Sequence, residues 1–346
     1  MRRALYLAEL GLGLTSPNPP VGAVIVKEGK ELGGGWHRAA GQPHAEVEAL
    51  KDVMTRHGPD VTKGATIYVT LEPCSTHGRT GPCTQELVKA GIKRVVIGAG
   101  DPNPAHEGKA AGILSEAGIE VVEGIEEARC EELIRGFAKV QRTGLPWVII
   151  KSALSLDGKI TRAEGEGPWL SSGGSRAEVQ ELRGEVDAIL SSGQTVRADN
   201  PRFTIRSGHE REGKVQPWRV ILTSREKGLP REAEILSDAF ADRTMVYTGQ
   251  RIECVLRELV SDHGVVTVMV EAGGRLVGRL LDEGWGDEVV FYLAPLLTGG
   301  SIPASGGEGV FDLAQRVRLV RVEYRRIEDD VRLRGTLAGT GGEFER

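Results

Sequence analysis

Four cysteines in 346 residues are far too few to staple a fold. A disulfide scaffold is excluded, and a reducing compartment, the cytoplasm, is the expected location. No stretch approaches the run of about 18 apolar residues that a membrane-crossing helix needs, so no membrane partner is expected. Basic excess is missing too. The formal net charge is −5, which argues against a surface that coats nucleic acid. Internal repeats and low-complexity tracts are absent. The N-terminus, MRRALYLAELGLGL, loosely resembles a secretion signal, but Glu9 interrupts the apolar run and no small-residue cleavage site follows. Leu5, Ala8 and Leu12 recur at helical spacing, which predicts an amphipathic first helix.

What is present is an alternation of strands and helices. VGAVIV (21–26) reads as a strand with ELGGGWH (31–37) as its hairpin partner, and AEVEALKDVM (45–54) as a helix. ATIYVTLE (65–72) is a β-branched run of the buried-strand kind. TQELVKAGI, KRVVIGAG, KAAGILSEAG and IEVVEG continue as helix, strand, helix and strand, and 126–142 reads as one further helix. The pattern predicts a mostly parallel sheet with helices on both faces. RTGLPW (142–147) interrupts it with Gly and Pro. A second alternating set follows, from the strand WVIIKSALS and a turn at Asp157-Gly158 to a two-stranded antiparallel ending. Two α/β domains are expected, 1–143 and 144–346.

Two of the four cysteines lie in TLEPCSTHGRTGPC (70–83), each after a proline. Upstream, PHAE (43–46) opens a helix. His44, Cys74 and Cys83 supply one imidazole and two thiolates, a donor set that suits zinc and leaves a fourth position for water. Glu46, two residues beyond His44, can reach that water without being a ligand. This is the H-x-E … P-C … C arrangement of the zinc nucleobase deaminases, in which zinc activates water for attack on a ring carbon and the Glu shuttles protons. The usual short form is P-C-x-x-C, whereas here eight residues separate the cysteines. The inserted loop overhangs the metal, and His77 and Arg79 are its polar members. A structural zinc would want a fourth protein ligand, for which His77 is the candidate. Cys130 and Cys254, alone in helical patterns, are expected to be packing residues.

These motifs, with TSPNPPVGAVIV and DPNP (101–104), resemble the deaminase half of the bifunctional deaminase/reductase family of riboflavin biosynthesis. KSALSLDGKI (151–160), the Trp-Leu-Ser-Ser of 169–172, TVRADNPRFTIR (195–206) and VEAGGRLVGRLL resemble the reductase half, so the likeness covers nearly the whole chain. The resemblance implies a cytidine-deaminase-like three-layer α/β domain followed by a dihydrofolate-reductase-like α/β domain. It implies one zinc per chain and NADPH as cofactors, phosphorylated pyrimidines as substrates, and a homo-oligomer, dimer or tetramer. The first domain would remove the 2-amino group of 2,5-diamino-6-(5-phosphoribosylamino)pyrimidin-4-one. The second would reduce the ribosyl chain of the resulting 5-amino-6-(5-phosphoribosylamino)uracil. The alternative is a tRNA adenosine or free cytidine deaminase fused to an unrelated domain, which the acidic balance and the long Cys–Cys loop disfavour.

On the same resemblance, Asn18 and His77 would hydrogen-bond the ring, and Arg79 and Asn103 would hold the phosphate, Arg79 as a charge-assisted clamp. The second half has no G-x-G-x-x-G after its first strand, so a Rossmann dinucleotide site is not indicated. The glycines of Gly273, Gly274 and Arg275, between a strand and a helix, favour an anion such as pyrophosphate. Cofactor contacts carried over by resemblance also include Ala153, Trp169, Thr195, Asp199 and Ser224, with Arg225 a weaker candidate for the NADPH 2′-phosphate. Substrate contacts carried over are Arg183, Phe203, Arg206 and Glu271, with Lys151 near the reacting centre. Lys151 ends WVIIK and can supply charge or a proton. Asp199, expected in a loop, suits a ribose hydroxyl or the nicotinamide amide. The chain departs from the family pattern at Thr76, Gly81, Asn200 and Thr223, which bears on the fit of the loop and of the cofactor pocket.

Overall fold

A computed structural model describes all residues except 59, 76–80, 105–106, 161–168, 225–227, 310–315 and 340–346. The chain divides into two compact units, Met1–Gly144 and Leu145–Arg346. No helix among the described residues is long and apolar enough to cross a membrane.

The first unit runs α1 (Arg2–Glu9), β1 (Gly22–Lys27), β2 (Lys30–Trp36), α2 (Ala45–His57), β3 (Thr66–Leu71), α3 (Cys83–Lys89), β4 (Arg94–Ala99), α4 (Lys109–Glu116), β5 (Glu120–Val122), α5 (Glu127–Leu133) and α6 (Arg135–Thr143). The first helix closes at Glu9, so Leu12 of the apolar pattern lies beyond it. Its sheet has the order β2-β1-β3-β4-β5. Only β3–β4 and β4–β5 are parallel, while β1 pairs antiparallel with both β2 and β3. The expectation of a mostly parallel sheet therefore fails here, because the β1–β2 hairpin turns the edge of the sheet around. The single helix expected over 126–142 is also two, broken at Ile134, whose φ of −102° and ψ of 10° leave the helical region.

The glycine run of β2 has a packing reason. A Cβ at Gly35 would lie 2.5 Å from the backbone nitrogen of Ala49 on α2. Only glycine lets α2 settle directly on the hairpin, and that contact fixes the helix that has His44 as its N-cap and Glu46 in its first turn. Ala45, Ala49 and Val53 of α2 then share a fully buried core with Ala23, Ile25, Ile67, Val69 and Val95.

The second unit runs β6 (Trp147–Ser155), α7 (Gly173–Glu185), β7 (Ala188–Ser192), α8 (Gly193–Asp199), β8 (Trp218–Thr223), α9 (Glu234–Ser237), β9 (Thr244–Thr248), α10 (Ile252–His263), β10 (Thr267–Glu271), α11 (Gly274–Asp282), β11 (Glu288–Ala294), β12 (Leu319–Ile327) and β13 (Asp330–Leu337). The sheet order is β12-β13-β11-β6-β10-β7-β8-β9, parallel from β11 to β9. Side-chain alternation sorts the strands onto two cores. Val148 and Ile150 of β6 pack with Leu256 and Val277 of α10 and α11, whereas Trp147 and Ile149 pack with Val179 and Leu182 of α7. Lys151 has the parity of Ile149, and Glu271 that of Met269, so both fall on the α7 side.

TVRADNP is not a loop. Ser192 Oγ accepts the Thr195 N–H, capping α8, and Asn200 closes that helix with a φ of 41°. Asn tolerates this left-handed conformation well, which gives position 200 a local reason for its identity.

Candidate active sites

His44 is the N-cap of α2 and Cys83 opens α3, while Cys74 follows the end of β3. His44 Nδ1 lies 3.5 Å from Cys74 Sγ and 3.4 Å from Cys83 Sγ, and one ligand atom from each residue lies within 4.8 Å of the others. The Cys83 N–H donates to Cys74 Sγ at 3.3 Å, so the backbone holds the sulfur as well as the side chain. Two thiols and one imidazole nitrogen facing one point fit a zinc ion in both ligand type and number.

The protons of this donor set reflect its crowding. The Cys74 thiol is lowered, first by the Cys83 hydrogen bond and then by His44. Cys83 is raised, first by Cys74 and then by burial, and the His44 imidazole is raised to about 9 by its hydrogen bond to Cys74. Such shared protons are what a cation displaces when it binds. Glu46 is 3% exposed, and burial raises its carboxyl to about 6 against the pull of His44.

Two residues that sequence reasoning passed over shape this site. His37 is 2% exposed. Its Nδ1–H donates to the Pro43 carbonyl at 3.1 Å, and its Nε2 accepts Asn18 Nδ2–H at 3.0 Å. Burial lowers its pKa, consistent with a neutral ring that accepts. The ring stands edge-on to His44 with centroids 5.4 Å apart. Glu72, 4% exposed, gathers three backbone N–H donors. Its Oε2 accepts from Asp101 at 3.2 Å and Gly108 at 3.0 Å, and its Oε1 from Ala110 at 2.9 Å. It thereby shapes the loop that carries Asn103, whose N–H donates to Asp101 Oδ1 at 2.9 Å. A charge at the end of a buried strand, as in LEPC, was the available signal for Glu72. His77 and Arg79 lie outside the described residues.

In the second unit Lys151 and Glu271 are register partners on adjacent parallel strands. Lys151 Nζ lies 3.5 Å from Glu271 Oε2. Arg183 of α7 grips Glu271 with Nε at 2.7 Å and Nη2 at 3.1 Å. Burial alone would raise the Glu271 carboxyl, but Arg183 and Lys151 hold it down to about 2. Burial lowers the Lys151 ammonium, with Glu271 opposing. A desolvated lysine beside a carboxylate already claimed by arginine gives up a proton more readily than an exposed one.

The other expected residues spread around this group. Trp169 is 51% exposed, with the guanidinium of Arg206 5.0 Å and that of Arg176 5.6 Å from its ring centroid. Phe203 is 5% exposed and belongs to the core with Trp147 and Ile149, not to an open wall. Ala153 is half-buried on β6, and Thr195 sits in the capped first turn of α8. Asp199 and Ser224 are exposed, and Arg225 lies outside the described residues. Gly273 has open space where a Cβ would be, but a Cβ at Gly274 would meet the Pro303 carbonyl oxygen at 2.1 Å. Gly274 is thus explained by close packing of α11 on the 303–307 segment, and Arg275 beside it is exposed. Cys254 is exposed, against the expectation of a packing residue, while Cys130 is fully buried.

A family model described as the cytidine and deoxycytidylate deaminase zinc-binding region matches residues 1–99, and one described as the RibD C-terminal domain matches 146–333. The riboflavin biosynthesis protein RibD of Escherichia coli (strain K12) is 40% identical over 326 residues, covering 86% of this chain and 88% of that protein. That of Bacillus amyloliquefaciens is 38% identical over 358 residues, covering 96% and 94%. Among solved structures, Acinetobacter baumannii RibD superposes with a TM-score of 0.86 at 40% identity and covers 97% of both chains. A Thermotoga maritima diaminohydroxyphosphoribosylaminopyrimidine deaminase/5-amino-6-(5-phosphoribosylamino)uracil reductase gives 0.85 at 33% identity, again covering 97% of each.

Proposed function

The chain belongs to the riboflavin biosynthesis protein RibD family, and from that membership we propose which residues of this bifunctional deaminase/reductase perform each of two consecutive steps. The first unit hydrolyses the 2-amino group of 2,5-diamino-6-(5-phosphoribosylamino)pyrimidin-4-one. The second reduces the ribosyl chain of the product, 5-amino-6-(5-phosphoribosylamino)uracil, to the ribityl form with NADPH. The observation that carries the reading is the convergence of His44, Cys74 and Cys83 with the buried carboxyl of Glu46 beside them.

His44, Cys74 and Cys83 would hold one zinc ion per chain, which would supply Lewis acidity that lowers the pKa of water. Glu46 takes a proton from the attacking water and delivers it to the departing amine. The C2–O bond forms, the C2–N bond breaks and ammonia leaves. Burial matters because a carboxyl poised at about 6 both accepts and donates near neutral pH. Asn18, whose Nδ2 is taken by His37, offers its Oδ1 to a ring N–H donor. Asn103, with His77 and Arg79, serves the pyrimidine and its phosphate.

NADPH, when bound in the second unit, would supply the hydride for C1′. The open-chain imine or aldehyde must accept a proton as it accepts hydride, and Lys151 donates it. Glu271 keeps Lys151 oriented, and Arg183 keeps Glu271 ionised so that it does not take the proton itself. Arg206 contacts the substrate. Ala153, Trp169, Thr195, Asp199, Ser224 and the 273–275 turn line the cofactor. A coupled assay tests the reading: the purified chain should release ammonia from the diaminopyrimidine phosphate and then oxidise one NADPH per ammonia. Ammonia from cytidine or tRNA instead, with no NADPH oxidation, would refute it.

A further inference from the structure

Residues 202–206, Arg-Phe-Thr-Ile-Arg, cross the second unit between α8 and β8 without joining a strand. Their backbone is nevertheless held, and side chains hold it. Arg219 Nη1 donates to the Arg202 carbonyl at 3.0 Å, and Arg183 Nη1 to that of Thr204 at 2.8 Å. Gln216 serves both polar groups of one residue: its Oε1 accepts the Ile205 N–H at 2.7 Å and its Nε2 donates to the Ile205 carbonyl at 3.0 Å. Gln180 Oε1 accepts the Arg206 N–H at 2.9 Å.

The Gln216 amide thus does for Ile205 what a neighbouring strand would do. Phe203, at the head of the segment, is buried with a φ of 50°, a conformation that side-chain-bearing residues adopt only when their surroundings impose it. Two consequences converge on the reductase site. The Arg183 guanidinium that grips Glu271 also grips the segment, so the two are mechanically tied. The exposed guanidinium at the segment's end, Arg206, is set over Trp169.

We propose that Gln180 and Gln216 are positioning residues for the phosphorylated-sugar substrate of the second unit, holding the 203–206 segment so that Arg206 stands at a fixed place relative to Arg183, Glu271 and Lys151. The proposal rests on the reductase reading above. The two glutamines use their amides differently. Gln216 must both donate and accept, which a carboxylate cannot do. Gln180 is engaged, among the described residues, through its acceptor alone. The same chemical change, Gln to Glu, therefore removes a hydrogen bond at Gln216 and none at Gln180.

The test measures binding of the product, 5-amino-6-(5-phosphoribitylamino)uracil, to the full chain by calorimetry without NADPH, alongside steady-state kinetics. Gln216→Glu, Gln216→Leu and Gln180→Leu should each weaken binding about tenfold, as expected for buried groups left unpaired, whereas Gln180→Glu should stay within about twofold of the native chain. The KM for the ribosyl substrate should rise by the same factors, with kcat, the KM for NADPH and ammonia release unchanged. Native-like binding by Gln216→Glu, or equal binding by Gln180→Leu and Gln180→Glu, would overturn the proposal. So would a KM for NADPH that rises together with that for substrate, since that marks general loosening of the fold. If the native chain binds the ribityl phosphate but oxidises no NADPH, the reductase reading fails, and the positioning proposal stands or falls on these binding ratios. If the native chain binds no ribityl phosphate, both fail.

Discussion

The two sites of this molecule are built on opposite plans. The donor set of the first unit comes from residues 44, 74 and 83, close in sequence and fixed in kind, because a zinc ion accepts few ligand types. The ion-pair group of the second unit draws Lys151, Arg183 and Glu271 from two strands and a helix, with Lys151 and Glu271 120 positions apart. What those three residues must supply is charge and position, which many residue types give. The candidate metal site is written in spacing, and the proposed reductase site is written in topology.

The sharpest way to break that comparison is to remove one proton-moving group from each site. Glu46→Gln should lower ammonia release by about 10²–10⁴-fold, the usual worth of a general acid–base group. Zinc content by atomic absorption and NADPH oxidation with the ribosyl uracil should stay at native levels, because Glu46 is not among the three convergent ligands. A variant that binds zinc and still deaminates at the native rate removes Glu46 from the mechanism. Next, Lys151→Ala should lower NADPH oxidation by about 10²-fold or more, and Asp199→Ala, which removes a cofactor contact, should also lower it, both leaving ammonia release intact. Loss of both activities together would instead mark a folding defect.

The contrast also explains what could be read from the chain. PHAE, TLEPC and the second cysteine were legible because each ligand type is rare and the helix and strand that carry them have plain periodicity. The pairing of Lys151 with Glu271 was not legible, since it depends on β6 and β10 lying side by side in register. Nor was the role of His37, which takes meaning only when the β1–β2 hairpin brings it against Pro43 and Asn18. TVRADNP was misread as a loop because Asn-Pro and Asp outweighed the Ser192 cap three residues before Thr195. The parallel order of the first sheet was overstated because the hairpin read at 21–37 does not reveal that β1 also pairs antiparallel with β3.

A smaller effect is expected in acid. The Glu271 carboxyl is held at about 2 in the folded chain, against an ordinary value near 4.5 when unfolded. A depressed acid stabilises the fold above the unfolded pKa and loses that contribution as pH falls through the folded one, so the window runs from about pH 4.5 down to about 2. The difference corresponds to about 3 kcal/mol for a side chain this buried. Urea unfolding at a series of pH values should show the native chain losing stability through this window more steeply than Glu271→Gln. The variant should be less stable at neutral pH because Arg183 and Lys151 are left with an unpaired charge. Equal slopes in the two proteins would show that Arg183 does not depress Glu271.

The smallest expected effect is the most demanding of the comparison, because it asks whether the two plans are independent. The cores divide cleanly: Ala23, Ile67 and Val95 belong to one cluster and Val148, Leu190 and Val268 to another. The break falls just after α6, where Gly144 takes a φ of 67° as the C-cap and Leu145 begins the second unit. Lys151, Arg183, Glu271 and the residues that hold 203–206 all lie beyond that point. A chain of residues 145–346 should therefore fold, contain no zinc, and reduce the ribosyl uracil with a kcat/KM within about twofold of the full chain, the tolerance expected for sites that share no partners. A folded fragment, judged by a cooperative melt, that binds the ribityl product yet fails to oxidise NADPH would show that the second site needs a group from the first unit. The two plans would then be parts of one design.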